Sequence, residues 1–183
     1  MATAAAVSRH LVHLASADPE GEGMTPLRLH KLLYYCQGWH LAWYGRPLFA
    51  ERIEAWRYGP VVPDVYAQPW GQGREVIPDV PATDDLSAAE RGSVEQVWRE
   101  YGRYSAHGLR DMTHLERPWA THFTPDAGNR CVTEIPSAEL LTYFGERFTA
   151  ETGEQVGCMA ESEAAVAEGR TISHEQMLKE LGW

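Results

Sequence analysis

Between Pro26 and Tyr44 the chain carries apolar residues on every side of a helical wheel. Leu29, Leu32, Leu33, Cys36, His40 and Trp43 recur at three- and four-residue spacing, and Tyr34, Tyr35, Leu41 and Ala42 make the opposite side nearly as apolar. A helix that is apolar all round is buried, so this stretch is predicted to be the central post of the fold. Its ends are marked by Thr25 as N-cap, Pro26 as first helical residue and Gly45-Arg46-Pro47 as the stop. Gly38 in its middle costs about 1 kcal/mol relative to alanine. That predicts another backbone passing close by at this point.

The remaining pattern arranges itself around the post. Val7, Leu11 and Leu14 give residues 3 to 16 one apolar stripe, a short amphipathic helix expected to return antiparallel onto the post through the loop Asp18 to Gly23. Residues 53 to 58 alternate with a period near two and are predicted to form a strand, which Gly59-Pro60 breaks. Asp64 is placed to cap a short helical turn through Tyr66 and Ala67. Glu75 to Val80 is a candidate second strand, restricted to an edge by Pro78. Ser87 and Glu90 form a capping box for a helix running to about Tyr104, buried through Val94, Val97, Trp98 and Tyr101. After a joint at Ser105 to Gly108 comes the segment Leu109 to Trp119, broken by Pro118 and anchored by Trp119. Val132 to Ile135 is a further short strand or extended approach, and Leu140, Leu141, Phe144 and Phe148 mark the last core helix.

Beyond Gly153 the apolar residues thin out. Two short amphipathic helices are expected there, one over Met159 to Glu168 and one capped by Ser173 and closed by Gly182. The fold class is therefore mainly α, of the α+β kind: a compact helical domain around a buried central helix, with a small β-sheet or hairpin and a C-terminal pair of short helices. The domain is expected over 1–150 and an acidic helical extension over 151–183.

Composition narrows the functional classes. The hydrophobic fraction of 44% and mean hydropathy of −0.40 fit an ordinary soluble protein, and no run approaches a membrane span. Cys36, Cys131 and Cys158 are odd in number and lack C-x-x-C spacing, so neither a disulfide framework nor a zinc site is indicated, and the expected location is the cytoplasm. The net charge of −10 is uneven, because Glu134 to Trp183 holds ten acidic and three basic residues. Such a balance repels phosphate backbones and attracts a basic protein, so direct nucleic-acid binding is not expected.

Candidate chemistry is sparse. Trp70 to Arg74 lacks the setting and the lysine of a P-loop, and no G-x-S-x-G is present. His30, Cys36 and His40 lie on the post without a carboxylate at helical spacing, which favours a hydrogen-bonded core role over metal binding. Thr113-His114-Leu115-Glu116 has two readings. His114 and Glu116 form an acid/base or metal-binding pair of a hydrolase, with His107 or His122 as a third ligand; or Thr113 caps a turn, Glu116 reaches back to its amide and His114 holds a loop carbonyl. Trp56-Arg57-Tyr58 is either a cation–π recognition surface or the packed rim of a small sheet. Val166, Ile172, Met177, Leu178 and Leu181 in the tail suit helix-in-groove binding of another protein. No cofactor is indicated.

The run Lys31 to His40, followed by Gly45 to Phe49, Ile53 to Trp56, Tyr58 to Val61 and Leu109 to Trp119, with the helix around Tyr143-Phe144, resembles the Panacea domain of SocA-like antitoxins and phage-associated proteins over residues 6 to 148. Cys36 stands where many members carry alanine. The resemblance implies a mainly helical, non-enzymatic domain that neutralises a toxin encoded beside it by direct contact. It brings no catalytic residues. At least one member is similar to a proteolytic adaptor, so an ATP-dependent protease is a further implied partner. Val166 to Leu181 is also similar to the toxin-wrapping C-terminal segments of small bacterial antitoxins.

Overall fold

The computed structural model describes residues 1–18, 21–79, 85–124, 133–153, 156–160 and 164. Helix α1 spans Ala4–Ser16 and α2 Pro26–Tyr44; strands β1 and β2 span Glu54–Trp56 and Gly59–Val61; then follow α3 (Pro63–Tyr66), α4 (Ala88–Tyr101), α5 (Ala106–His114), α6 (Arg117–His122) and α7 (Ser137–Thr152). Among the described residues the fold is mainly helical with one two-stranded antiparallel sheet. No helix among the described residues is long and apolar enough to cross a membrane.

The post forms as its pattern predicts. Every residue from Arg28 to Tyr44 is buried, the Thr25 hydroxyl accepts from the Arg28 amide at 3.4 Å, and Gly45 closes the helix in the left-handed conformation at φ 65°. Helix α7 lies along α2, with α4, α5, α1 and β2 packed on its other sides. The close neighbour of Gly38 is not a backbone. A Cβ built there would stand 2.2 Å from Cε2 of Phe144, a fully buried ring on α7. Within the post, Gln37 accepts from the amides of Leu48 and Phe49 at 3.0 and 3.2 Å and donates to the Phe49 carbonyl at 3.0 Å, fixing the chain that leaves α2.

Between residues 53 and 80 three expectations change. Instead of a single strand ended by Gly59-Pro60, the chain makes a hairpin: Glu54, Ala55 and Trp56 pair with Val61, Pro60 and Gly59, and Arg57-Tyr58 is the turn. Pro60 fits because β2 is the edge. The other side of β1 is taken by the extended segment at 133–135, where the Ala55 amide donates to the Thr133 carbonyl at 3.0 Å and the Ile135 amide to the Ile53 carbonyl at 2.8 Å. The candidate strand at 75–80 does not form over its described residues, 75–79. Ile77 is buried there and its amide donates to the Met24 carbonyl at 2.7 Å, but this is a single tie. Helix α3 starts at Pro63 with Val62 as its cap, so Asp64 lies inside the first turn.

The capping box at Ser87 forms, with its hydroxyl accepting from the Glu90 amide at 3.4 Å and Glu90 accepting from the Ser87 amide at 2.9 Å. That helix ends at Tyr101, three residues short of expectation, because Gly102 caps it and offers its carbonyl to the buried Arg28 guanidinium. Helix α7 continues past Phe148 to Thr152, closed by Gly153 at φ 76°. The chain then folds back at once. The Gly157 amide donates to the Ala42 carbonyl at 2.9 Å in the last turn of α2, and Met159 is buried. The root of the acidic extension is thus part of the core, with residues 158–160 helical. Val166, Ile172, Met177, Leu178 and Leu181 lie outside the described residues.

Candidate functional site

The hairpin is held by the N-terminal half of the post. Lys31 is completely buried, and its ammonium donates to the Pro60 carbonyl at 2.8 Å; burial, with Arg110 adding like charge, pushes its pKa down to about 7. From the other side the Trp119 indole N–H donates to the Trp56 carbonyl at 2.8 Å, and His114 stacks on Trp119 at 3.9 Å and 10°. Gly59 is what lets the turn approach. At φ +97° its backbone disfavours any side chain, and an added Cβ would stand 2.5 Å from Lys31 Cε and 2.8 Å from Thr113 Oγ1. Gly59→Ala is therefore expected to cost about 2 kcal/mol or more. The check is a denaturant midpoint lowered at unchanged m-value; an unchanged midpoint would refute this packing.

The predicted trio Trp56, Arg57 and Tyr58 divides. Arg57 and Tyr58 form the exposed tip, with Tyr58 52% exposed and the Arg57 guanidinium 5.8 Å from the centre of its ring. Trp56 belongs to the packed rim: its indole donates to Glu54 at 2.8 Å and its ring meets Tyr66 edge-on at 4.7 Å. Leu115, between α5 and α6, is 89% exposed. Sequence reasoning passed over it because an apolar residue between two helices carries no signal of the face it takes.

His114 and Glu116 are not brought together as a catalytic pair. His114 faces Lys31 and Arg110, and burial followed by those charges lowers its pKa; its Nε2 is buried without a hydrogen bond. Glu116 points the other way, where its Oε1 accepts from the Tyr35 hydroxyl and from Arg147, each at 3.2 Å. The turn-capping version of this motif fails as well, since the Thr113 hydroxyl donates to the Arg110 carbonyl and the carboxylate of Glu116 is committed to α2 and α7. Burial raises the Glu116 pKa to about 7, outweighing the carboxylate-favouring influence of Tyr34, Arg147 and Tyr35. Tyr34 acts here by proximity: neither its hydroxyl nor Glu116 Oε2 completes a hydrogen bond. His107 is exposed, and His122 is used by the Pro118 carbonyl at 2.9 Å and Glu139 at 3.4 Å.

The histidines of the post are core residues. His30 accepts from the Val62 amide through Nδ1 at 3.4 Å, which leaves Nε2–H to donate to the Gly71 carbonyl at 3.3 Å. Ser93 gives its own proton to the Ala89 carbonyl, so His40 donates from Nδ1 to Ser93 Oγ at 2.8 Å. Both rings are thereby fixed in neutral tautomers, and burial depresses their pKa values to about 3 and about 4. Cys36 is fully buried, which pushes its thiol pKa up. Among the described residues no three His, Cys, Asp or Glu side chains are grouped to hold a metal ion.

Toward the other end of the post an open pocket of about 280 Å³ lies between α2, α4 and α7. Trp39 and Trp43, stacked at 5.8 Å, contribute from α2, while Gln96 and Glu100 line it from α4 and Arg147 and Glu151 from α7. The Arg147 guanidinium lies 5.2 Å from the Trp39 ring centre and reaches Glu116 at 3.2 Å and Glu151 at 3.7 Å. The Trp39 indole donates to the Tyr101 hydroxyl at 3.0 Å.

This is a helical scaffold wrapped on one buried post, whose internal polar ties hold a hairpin and a pocket at its surface. The family model of the SocA-like antitoxin, Panacea domain, matches residues 29–120, and the chain belongs to that family. It is similar to the protein named antitoxin SocA of Caulobacter vibrioides (strain NA1000 / CB15N), 32% identical over 110 residues, covering 51% of this chain and 56% of that protein. The chain thus matches little more than half the length of that relative. No solved structure matches it.

Proposed function

We propose that the protein is an antitoxin that neutralises the product of a neighbouring gene by direct protein–protein contact, and that it is not an enzyme. Its membership of the antitoxin family carries this reading. The geometry is consistent with it, since the ionisable groups of Lys31, Glu116, His30 and His40 are spent on holding the fold. The exposed hairpin tip of Arg57 and Tyr58, with Leu115 on the neighbouring joint, is the first contact surface, because arginine and aromatic residues dominate binding energy at protein interfaces. The acidic extension, with Val166, Ile172, Met177, Leu178 and Leu181, is the second, drawn to a basic toxin by its charge.

The test is co-expression with the adjacent reading frame, read as growth and co-purification. Arg57→Glu with Tyr58→Ser is expected to weaken the complex at least tenfold, about 1.4 kcal/mol, while the protein stays folded by circular dichroism. A truncation separating the extension must follow Ala160, because a cut after Gly153 removes the buried Met159 and the Gly157 tie to Ala42. A wild-type protein that neither rescues growth nor co-purifies would overturn the antitoxin reading.

A further inference from the structure

The turn of the hairpin is held from inside the molecule on both of its strands. In the β1–β2 pairing Ala55 lies opposite Pro60, which has no N–H to offer, so the backbone groups of this pair point out to the two edges of the ribbon. The outward Ala55 amide meets the Thr133 carbonyl at 3.0 Å, and the outward Pro60 carbonyl meets the Lys31 ammonium at 2.8 Å. On β1 the Trp56 carbonyl takes the Trp119 indole N–H at 2.8 Å. Arg57-Tyr58 therefore lies between two carbonyls fixed from α2 and α6.

Lys31 also sets the hairpin against α5. A Cβ added at Gly59 would stand 3.0 Å from Lys31 Nζ and 2.8 Å from Thr113 Oγ1, so the turn backbone is packed between the post and α5. Among the described residues, the charged and titratable groups that act on Lys31 or feel it are Arg110 and His114 from α5 and His30 beside it on α2, all cationic when charged. The hairpin supplies the Pro60 carbonyl. A fully buried amine with a carbonyl as its partner and these neighbours is costly to protonate. A methionine would fill the same length of the core without that cost, but it would leave the Pro60 carbonyl unmet. What the lysine adds over an apolar residue is its grip on the hairpin.

We propose that Lys31 is a positioning residue for partner binding: from within the post it holds the hairpin tip against α5, so that Arg57 and Tyr58 meet the partner already in place. This rests on the antitoxin reading for the partner and adds what shapes the surface the partner meets. A tip ordered beforehand removes an ordering cost from binding, and a hairpin that opens reduces the apparent affinity by the fraction of molecules still closed. Lys31 itself is fully buried and does not reach the partner. Its grip has a pH signature. In the closed hairpin its pKa is about 7, and opening returns it toward the ordinary 10.5. The open form therefore binds a proton that the closed form refuses between those limits, so the closed hairpin gains stability as pH rises from 7 and is insensitive to Lys31 below it. Between pH 7 and 8.5 the lowered histidines and Glu116 have finished titrating, and Cys36, raised by burial, has not begun.

The measurement is hydrogen exchange by NMR on full-length protein from pH 7 to 8.5, corrected for the chemical exchange rate. The Trp119 indole N–H and the Ala55 amide report the hairpin, and the Leu48 amide, held by Gln37, reports the core. In the wild type, hairpin protection is expected to rise with pH, by up to about tenfold per unit. In Lys31→Met the profile should be flat and hairpin protection at pH 8.5 about tenfold lower or more, with that of Leu48 kept, which separates a released hairpin from a weakened fold. The complex with the product of the adjacent reading frame should weaken about fivefold or more in Lys31→Met. It should weaken no further when Lys31→Met is added to Arg57→Glu with Tyr58→Ser, because the surface being positioned is already lost. A flat wild-type profile overturns the grip, and it needs no variant should Lys31→Met fail to fold. Hairpin protection kept in Lys31→Met, or an additive loss in the combined variant, overturns the positioning role. A complex of wild-type affinity in Lys31→Met also overturns it and leaves the antitoxin reading standing; a wild-type protein that forms no complex overturns that reading, and the role in binding with it.

Discussion

Phe144→Ala is expected to cost about 3–5 kcal/mol, enough to unfold a domain of ordinary stability in part or entirely. The ring is fully buried on α7 and is met near edge-on by Tyr34 at 5.5 Å, Tyr35 at 6.2 Å, Trp39 at 5.4 Å and Tyr143 at 5.2 Å. Rings fixed in this way on two packed helices, α2 and α7, cannot collapse into the space left behind, so the cavity component of the loss is retained. Gly38 supplies the internal control. In the wild-type background Gly38→Ala drives a methyl to 2.2 Å from the Phe144 ring. That overpacking, about 1–3 kcal/mol, exceeds the roughly 1 kcal/mol of helix propensity gained. In the Phe144→Ala background the same substitution loses its three nearest neighbours, all atoms of that ring, and is expected to stabilise. Urea midpoints of the two single variants and the double should show this reversal of sign. A Gly38→Ala effect equal in both backgrounds would mean that the ring and the glycine are not coupled.

What the sequence shows and hides follows from this pair. The buried post was legible because burial on all sides leaves a pattern in one stretch of residues, and its caps are local as well. Gly38 was recognisable as a point of close approach, but whether a backbone or a ring approaches depends on α7, more than a hundred residues further on. A small sheet or hairpin was expected, but its second strand was not placed, for a related reason. Gly59-Pro60 reads as a break, whereas in the fold it pairs with β1 and is tied to Lys31, deep in the post, which donates to the Pro60 carbonyl. The Glu116 node was misassigned because its nearest chemical partner in sequence is His114, whereas its partners in space, Tyr35 and Arg147, come from α2 and α7. Lys31 could not be singled out at all: only the fold shows a lysine to be fully buried beneath the hairpin.

The second large effect is on stability as a function of pH. His30 and His40 have pKa values of about 3 and about 4 in the folded chain, against 6.5 when unfolded. Between pH 6.5 and about 4 the unfolded state therefore binds protons that the native state refuses, and stability falls with acid by about 1.4 kcal/mol per pH unit for each histidine. Glu116 works the other way. Its folded pKa of about 7 lies above its unfolded 4.5, so between those limits the native state holds the extra proton and acid favours folding by a similar slope. Two histidines against one carboxylic acid leave a net loss of roughly 1.4 kcal/mol per pH unit from pH 6.5 down to 4.5, and His10 and His114, whose pKa values are also lowered by burial first, add in the same direction. Glu116→Gln keeps an acceptor for the Tyr35 hydroxyl and removes the opposing titration, so its stability should fall about twice as steeply over the same window. His40→Gln should flatten the profile by one histidine. Denaturant midpoints at pH 4.5, 5.5 and 6.5 for the three proteins measure all of this. A wild-type stability that is level or rising toward pH 4.5 would mean that one of the two rings is charged in the native state, and that the neutral tautomers assigned from Val62 and Ser93 are wrong.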